Sequence, residues 1–420
     1  MTLLLDNTRL IDPDTGDDRL GSLVIDDGEI AAFDAAPRAA RIIDCGGLCL
    51  APGIIDIGVK ICEPGERHKE SFRSGGLAAA RGGVTTMVTR PDTDPVIDTP
   101  EMLEFHRRRA SEASPVHVLP MAALTKGRAG AEMTEIGFLQ DAGAVAFTDC
   151  DRPVPSPKTL SRAMTYAAGL GALVIGHPQD PSLSAGAAMT SGQYASQLGL
   201  PAVSPLAERM GLERDLALVE ATGVRYHADQ ITAAAALPAL ERAKAASLPV
   251  TAGTSIHHLT LNLLDVGAYA TFFKVKPPLR SEEDRLAMIK ALREGTIDLI
   301  SSMHTPQDEE SKRLPFEEAA SGAVGLETLL PAALQLVHGG YLSLPELFRA
   351  ISLNPARLLG LEAGRLAPGA PADLVLFDPD TPFRLDRWSL ASKSKNTPYD
   401  GRLMQGKVRR VWVSGHEVAL

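Results

Sequence analysis

The sequence predicts an α/β fold in which a closed (β/α)8 TIM barrel carries a small composite β-sandwich module. Three observations support this prediction. Apolar strand-like runs alternate with helix-like stretches across residues 52–355, as they do in parallel barrels. Short strand-like runs lie at both chain ends, in residues 1–51 and 356–420, and can combine into one module. The length of 420 residues suits one large barrel and one small module.

The individual elements follow from the hydrophobic pattern and the turn residues. Short apolar runs at 3–5, 22–25, 29–33, 372–377 and 409–413 predict the strands of the module. The predicted barrel strands are residues 54–59, 84–89, 116–124, 144–149, 172–177, 225–230, 249–256 and 299–304. The predicted helices include residues 70–81, 100–113, 156–169, 205–222 and 232–246. Parallel barrels place their chemistry at the C-terminal ends of the strands, so we expect functional side chains there.

Charge and cysteine usage narrow the class of function. The formal net charge of -10 and the pI near 5.5 oppose binding to nucleic acid or to an anionic membrane. No apolar run is long enough to span a bilayer, and the N-terminus lacks the features of a signal peptide. The cysteines, at positions 45, 49, 62 and 150, follow no zinc or disulfide spacing. We therefore expect reduced thiols in a cytoplasmic protein.

One segment has the frame of a metal-binding barrel opening. Residues 52–65 read Pro-Gly-Ile-Ile-Asp-Ile-Gly-Val-Lys-Ile-Cys-Glu-Pro-Gly. Together with residues 63–70, 78–86, 276–285, 325–328, 354–357 and 394–401, this segment resembles the bacterial type I dihydroorotases of the amidohydrolase superfamily. The resemblance covers nearly the whole chain. For active relatives it implies zinc, which generates hydroxide and polarises the ring amide carbonyl of the substrate.

The resemblance also indicates which family positions differ in this chain. The first two histidine ligands of the family correspond to Gly58 and Lys60, and its strand-six histidine corresponds to Gln230. The aspartate that transfers the proton corresponds to Met303. An ammonium group at Lys60 would repel a nearby dication.

Two family ligands are kept, the bridging carboxylate at Asp149 and the strand-five histidine at His177. Zinc needs about three or four ligands in tight geometry, so we expect no bound metal and no other cofactor. We expect the Lys60 ammonium to reach toward Asp149 and to take the place of the lost dication. Met303 is expected to pack on the other side of the centre, and His304 to be a leftover of the substrate site.

The residues that would hold the substrate are altered as well. The family binds the substrate carboxylate with one arginine and two asparagines, which correspond here to Cys62, Asp92 and Lys276. The like charge of Asp92 is worth about 4 kcal/mol of repulsion at ~4 Å and an effective dielectric near 20. Lys276 compensates for part of this repulsion. We expect orotate-like ligands to bind weakly or not at all.

These replacements lead to one leading hypothesis and two alternatives. The leading hypothesis is a catalytically inactive dihydroorotase-like protein of pyrimidine biosynthesis, and the resemblance supplies aspartate transcarbamoylase as its structural partner. A homo-oligomer, most simply a dimer, is expected. The first alternative is an active cyclic amidohydrolase whose centre is rebuilt around Asp149, His177, His304 and Lys60. The second alternative is a ligand-binding sensor that kept the pocket and dropped the chemistry.

Overall fold

The computed structural model describes residues 2–35, 37 and 40–420, and it has the predicted barrel and β-sandwich module. The strands, in chain order, are β1 (Leu3–Ile11), β2 (Asp18–Asp26), β3 (Glu29–Phe33), β4 (Arg41–Asp44), β5 (Cys49–Pro52), β6 (Ile54–Val59), β7 (Val84–Thr89), β8 (His117–Pro120), β9 (Leu173–Gly176), β10 (Met189–Thr190), β11 (Ala202–Val203), β12 (Arg225–Ala228), β13 (Val250–Ser255), β14 (Leu299–Ser301), β15 (Leu374–Arg384), β16 (Leu403–Val413) and β17 (His416–Val418). The α-helices are α1 (Phe72–Arg81), α2 (Pro100–Ala113), α3 (Ile136–Asp141), α4 (Pro157–Gly169), α5 (Pro181–Ser184), α6 (Gln193–Leu198), α7 (Leu206–Thr222), α8 (Leu237–Ala245), α9 (Ile256–Thr260), α10 (Glu282–Arg293), α11 (Glu309–Arg313), α12 (Leu329–His338), α13 (Leu344–Phe348) and α14 (Asn354–Leu359).

The barrel is built from two runs of parallel strands. One run has the order β6-β7-β8, and the other has the order β9-β12-β13-β14. Phe147 bridges the two runs, because it pairs with Ala122 on one side and with Val174 on the other. The barrel closes where the Lys60 amide donates to the His304 carbonyl over 2.9 Å. The C-terminal ends of these strands therefore surround one common mouth.

The helix starts next to this mouth are fixed by local caps. α1 begins after Ser71, whose hydroxyl accepts from the Ser74 amide. α2 begins after Thr99, whose hydroxyl caps the helix, and Pro100 is its first residue. Both arrangements satisfy backbone N–H groups that the first helical turn leaves without partners. These caps explain why the predicted helix bounds lie close to the observed ones.

The predicted fourth barrel strand, residues 144–149, is wrong as a regular strand. The segment does occupy the fourth barrel position, since the Phe147 amide donates to the Leu173 carbonyl over 2.9 Å. Gly143 at φ +102° and Cys150 at φ +58°, however, bend the chain at either end. An extended ladder cannot continue through left-handed residues, so only a single bridge position remains.

Other predicted strands are too long at the mouth. β12 ends at Ala228 and β14 ends at Ser301, although the sequence predicts strands that extend to 230 and 304. Gln230 at φ +57° and Met303 at φ +47° adopt the left-handed backbone region, which interrupts the extended conformation. These bends occur at two of the candidate site positions.

Strands from both chain ends form one mixed sheet. Its order is β17-β16-β15-β5-β1-β2-β3, with β4 beside β1. β15 pairs antiparallel with β5, from Leu374 opposite Pro52 to Phe377 opposite Cys49. Trp412 of β16 is fully buried in the apolar core that this sheet shares with residues of β1, β2 and β3. The expected domain junctions at 51/52 and 355/356 fall within β5 and α14, and the division into domains stays a prediction.

One buried carboxylate on α7 holds several mouth loops together. Glu208 accepts hydrogen bonds from the Thr232 and Ala233 amides, each over 2.7 Å, and from the Gln179 side chain over 3.1 Å. The Arg280 guanidinium donates to it over 3.1 Å, and both side chains are almost completely buried. The loops after β9 and β12 and the segment before α10 are thereby fixed relative to one another.

We predict that Glu208→Ala lowers the free energy of unfolding by about 3–5 kcal/mol, because it leaves the buried Arg280 guanidinium without a counter-ion. The measurement is urea unfolding followed by far-UV circular dichroism. Glu213→Ala is the matched control, since Glu213 lies on the same helix in an exposed pair with Arg209. Its expected loss is below about 1 kcal/mol. Equal losses in the two variants would contradict the role of Glu208.

Candidate functional site

The candidate site residues are grouped at the barrel mouth. They lie at strand ends or in the loops that follow, and these are Gly58 in β6, Lys60 and Cys62 after β6, Asp92 after β7, Asp149 in the fourth segment, His177 after β9, Gln230 after β12, Lys276 before α10, and Met303 and His304 after β14. Gln230, Lys276 and Met303 line one cavity of about 50 Å³, together with Arg90 and Asp151. The barrel thus brings the positions together, while their side chains make separate sets of contacts.

The first position of the metal frame faces a side chain from the last barrel strand. Gly58 has φ +91°, a conformation that glycine adopts readily and that strains other residues. A Cβ atom at position 58 would lie 2.9 Å from Sδ of Met303. The Met303 thioether therefore fills the space into which a larger residue at position 58 would project.

The Lys60 ammonium does not pair with Asp149, so that expectation is wrong. Lys60 Nζ lies 3.4 Å from Asp92 Oδ2 and 3.7 Å from Glu66 Oε2, and these are its ion pairs within the described ranges. Burial lowers the pKa of Lys60, but the Asp92 and Glu66 carboxylates outweigh burial and raise that pKa above its ordinary value. Lys60 is therefore a charged ion-pair partner at neutral pH and a poor candidate for a nucleophile.

Asp92 has a second partner, which the sequence analysis did not identify. Arg90 donates from Nε to Oδ1 over 3.1 Å and from Nη2 to Oδ2 over 2.7 Å, which makes a bidentate pair. Both side chains are buried. Burial raises the pKa of Asp92, yet the charges of Arg90 and Lys60 hold that pKa below its usual range. The Asp92 carboxylate is thus ionised and shared between two cations.

Another carboxylate extends this network across the mouth. Asp151 Oδ1 accepts from Arg128 Nη2 over 2.6 Å and lies 3.7 Å from Arg90 Nη2. Asp151 Oδ2 lies 3.4 Å from Lys276 Nζ. Despite burial, the charges of Arg90, Lys276 and Arg128 hold the pKa of Asp151 well below its usual range. No sequence motif distinguishes Arg90, Arg128 or Asp151, and each is only a charged residue that follows a predicted barrel strand.

The Asp149 carboxylate is engaged in local hydrogen bonds outside this network, although the Asp149 backbone carbonyl accepts from Arg128 Nε over 3.1 Å and from Nη2 over 3.0 Å. Its Oδ1 accepts from the Thr125 amide over 3.0 Å, and its Oδ2 accepts from the Thr125 hydroxyl over 2.5 Å. Burial raises the pKa of Asp149, and the bonds from Thr125 oppose the rise only in part. Both carboxylate oxygens are thus held by the loop after β8.

The imidazole of His177 makes no hydrogen bond to any described residue. Both of its ring nitrogens are buried without a partner. Burial, with the Lys276 charge adding to it, lowers the pKa of His177 to about 3. The ring is therefore neutral at physiological pH. The two retained family ligands, His177 and Asp149, thus share no partner.

Cys62 and His304 belong to the wall of the mouth. Cys62 is buried, and burial raises the pKa of its thiol to about 12, so the sulfur stays protonated and unreactive. His304 Nδ1 accepts from the Gly325 amide over 3.1 Å. His304 Nε2 lies 3.5 Å from the buried carboxylate of Glu70, which also accepts from the Ser392 hydroxyl. These contacts fix the orientation of the imidazole.

The residues at the mouth do not fit the zinc site that the resemblance implies. Across residues 2–35, 37 and 40–420, no three histidine, cysteine, aspartate or glutamate side chains are close enough to hold a metal ion. An ammonium at Lys60 and a thioether at Met303 stand at family positions for a ligand and a catalytic carboxylate. The cavity of about 50 Å³ is also far below the roughly 300 Å³ at which small-molecule sites begin.

We predict that Asp92→Asn lowers the free energy of unfolding by about 3–5 kcal/mol at pH 7, because Arg90 and Lys60 lose their shared counter-ion. The pKa of Asp92 is lowered by folding, so its contribution is present above its unfolded value near ~4 and is lost as the pH falls below that value. Urea unfolding at a series of pH values measures both effects. The stabilities of wild type and variant should converge toward acidic pH.

Asp18→Asn is the matched control for this prediction. Arg9 donates to Asp18 over 2.6 Å and 2.7 Å in the same bidentate pattern, but that pair is partly exposed. The expected loss is below about 1 kcal/mol. Equal losses for Asp18 and Asp92 would show that burial of the mouth pair has no effect on stability.

Comparisons with known proteins agree with this architecture. The dihydro-orotase-like family model matches residues 47–235, and the amidohydrolase family model matches residues 335–419. The dihydroorotase of Syntrophus aciditrophicus (strain SB) is 40% identical over 422 residues, which cover 100% of this chain and 99% of that protein. The dihydroorotase-like protein of Pseudomonas putida is 41% identical over 420 residues, which cover 99% of each chain.

Solved structures show the same fold. The L-hydantoinase (dihydropyrimidinase) of Arthrobacter aurescens matches with a TM-score of 0.89 and 26% identity, over 99% of this chain and 96% of that chain. In the described part of the chain, every helix is too short or too polar to cross a membrane. Full-length identity of about 40% to curated relatives, together with the shared barrel and sandwich, assigns the family. The chain belongs to the dihydroorotase-like family of the amidohydrolases.

Proposed function

We propose that this protein is a dihydroorotase-like member of pyrimidine metabolism that does not hydrolyse dihydroorotate. The ion-pair network at the barrel mouth carries the proposal. The Lys60 ammonium, at a family ligand position, is held 3.4 Å from Asp92. The Met303 thioether fills the space beside Gly58. A dication here would be repelled by the ammonium and would find too few ligands.

Proton transfer also lacks its usual group. Met303 stands where the family has a carboxylate, and a thioether cannot exchange a proton at neutral pH. Positioned proton transfer typically contributes ~10²–10⁴-fold to a rate. The nearby Asp149 carboxylate is bonded to Thr125 through both oxygens, so it is poorly placed to substitute.

Binding of an anionic substrate is opposed by the same network. A substrate carboxylate would compete with Asp92 and Asp151 for the cations at Arg90 and Lys276. The Arg90–Asp92 pair is buried, and separating one partner from such a pair costs about 3–5 kcal/mol, which the incoming carboxylate would have to offset. Cys62, at the position of the family arginine, offers only a neutral thiol in return.

We infer that the protein serves as a structural partner of aspartate transcarbamoylase. The family resemblance supplies the identity of this partner. The retained scaffold supports the inference. The barrel is closed by the hydrogen bond between Lys60 and His304, and Glu208 holds the loops around the mouth together. A protein that keeps its fold while its reactive positions change is suited to a structural role in a complex. A homo-oligomer, most simply a dimer, and a cytoplasmic location belong to the same proposal.

A second candidate is an active cyclic amidohydrolase with a rebuilt centre. The comparisons favour it as much as the first proposal. The chain is 40% identical to a protein named dihydroorotase and 41% identical to one named dihydroorotase-like. Its reacting groups would be Asp149, His177, His304 and Lys60. The ion pairs of Lys60 and the contact of His304 with Glu70 weigh against it, because both groups are already engaged.

We predict that purified protein turns over no dihydroorotate above background and holds no stoichiometric zinc, even after growth with added zinc. The reason is that Lys60 and Met303 replace a metal ligand and the proton-transferring carboxylate. The measurements are a dihydroorotate hydrolysis assay and elemental analysis, with the Syntrophus aciditrophicus dihydroorotase assayed in parallel. Turnover that disappears in Asp149→Ala would support a metal-dependent reaction and contradict the proposed lack of catalysis. Turnover that survives Asp149→Ala and disappears in Lys60→Ala would establish a lysine-based reaction instead.

We predict that the protein forms a stable complex with aspartate transcarbamoylase from the same organism. Size-exclusion chromatography with light scattering should show one species that contains both chains in a fixed ratio. Asp18→Asn, a change in the β module away from the mouth, is a folded control that should still associate. Separate elution of the two proteins at every mixing ratio would remove the structural-partner proposal while leaving the predicted lack of catalysis in place.

A further inference from the structure

A second cavity lies at the other end of the barrel, away from the mouth. Its volume is about 390 Å³, and four parallel strands begin at it, with Leu173 of β9, Arg225 of β12, Val250 of β13 and Leu299 of β14 among its lining residues. This volume falls within the roughly 300–1,000 Å³ that small-molecule sites occupy. The function proposed above makes no use of this cavity.

One section of the cavity wall is aliphatic. Leu173, Leu299 and Leu358 line it and are otherwise buried in the core, and Leu248 and Val250 extend the same surface. Because these side chains present only hydrocarbon, transfer of an apolar ligand group from water to this wall is favourable. Rigid strand ends and the helix α14 hold the wall in place, so the site is formed in advance of binding.

The charge at the cavity is positive, although the chain as a whole carries -10. Arg225 donates from Nη1 to the Gly171 carbonyl over 3.3 Å and from Nη2 to the Leu358 carbonyl over 2.7 Å. It pairs with no carboxylate of the described residues, and its Nε makes no hydrogen bond to them. The acid of the lining, Asp298, is already neutralised by Lys244 at 2.7 Å.

A second arginine stands beside the first. Arg357 lines the same cavity, and it donates from Nη2 to Asp14 over 2.7 Å, in a pair whose arginine side chain is mostly exposed. Such an exposed pair is weak and readily exchanges its carboxylate. The cavity therefore combines an aliphatic wall section with two exposed guanidinium groups, of which one has no carboxylate partner among the described residues and the other has a weak one. Guanidinium groups of this kind bind carboxylates and sulfonates by charged hydrogen bonds.

We propose that this cavity binds a small amphipathic organic anion, in which an aromatic or branched aliphatic body carries a single acidic group. The body would lie against the leucines, and the acidic group would accept from Arg225. This site is separate from the mouth and does not depend on whether the mouth is catalytic.

The test uses anilinonaphthalene sulfonate, a fluorescent anion with an apolar ring system, and the full-length protein. We expect saturable binding of one dye per chain, with a fluorescence increase on transfer to the apolar wall. Arg225→Met keeps the apolar stem and removes the charge, so the dissociation constant should rise roughly tenfold or more. Leu248→Trp, which adds bulk to the cavity, should abolish the saturable signal. The uncharged analogue phenylnaphthylamine should bind at least about tenfold more weakly than the sulfonate.

Arg108→Met is the matched control, because Arg108 lines a different groove beside α2 and should leave dye affinity unchanged. Circular dichroism and thermal melting of each variant confirm that it is folded, and Arg225→Lys provides a second test that keeps the charge and loses part of the affinity. Binding that is equal in wild type, Arg225→Met and Leu248→Trp would overturn the proposal. Equal affinity for the charged and uncharged dyes would overturn it as well.

Discussion

The Asp92 carboxylate is buried at the mouth of this barrel and needs positive charge beside it, and the charged side chains around it are arranged to meet that requirement. Asp92 is buried between Arg90, at 2.7 Å, and Lys60, at 3.4 Å. Asp151, which is partly exposed, lies between Arg128 and Lys276. In an active family member, the zinc that the sequence resemblance implies would supply positive charge at this position. Here the compensation comes from side chains on the loops around the mouth, so the site is balanced by its own residues.

The barrel scaffold does not depend on the charged side chains of the mouth, because other atoms hold its strands together. Barrel closure uses the Lys60 amide and the His304 carbonyl, so it is independent of the side chain at position 60. Beneath the mouth, Asp56 accepts from the Ser302 amide over 2.8 Å and from the Ser302 hydroxyl. Asp56 is fully buried, and this burial raises its pKa to about 6. Backbone contacts and the Asp56–Ser302 link therefore keep the strand ends in place independently of the charged side chains at the mouth.

The sequence is sufficient for the fold because its strongest signals are local. Strands β6 and β7 have the predicted bounds, since each is an apolar run between glycine and polar residues. The site is harder to predict, because side-chain direction depends on the neighbours. The sequence pattern places Lys60 at the mouth, but it predicts Asp149 as the partner of the ammonium. In the structure Thr125 binds both oxygens of Asp149, and Asp92 is the carboxylate nearest to the ammonium. That competition involves contacts far apart in sequence, which hydrophobic periodicity does not encode.

The altered positions of the mouth depend on one another. A side chain at position 58 would meet Met303 Sδ at 2.9 Å, so the glycine and the methionine suit each other. Loss of charge at Lys60 would leave Asp92 with one cation in place of two, and loss of Asp92 would leave both cations buried without it. Substitutions at contacting residues are strongly non-additive, and each single change here meets neighbours adapted to the present arrangement. The residues at the mouth therefore form one mutually adapted set on a scaffold that this chain shares with the dihydroorotase-like family.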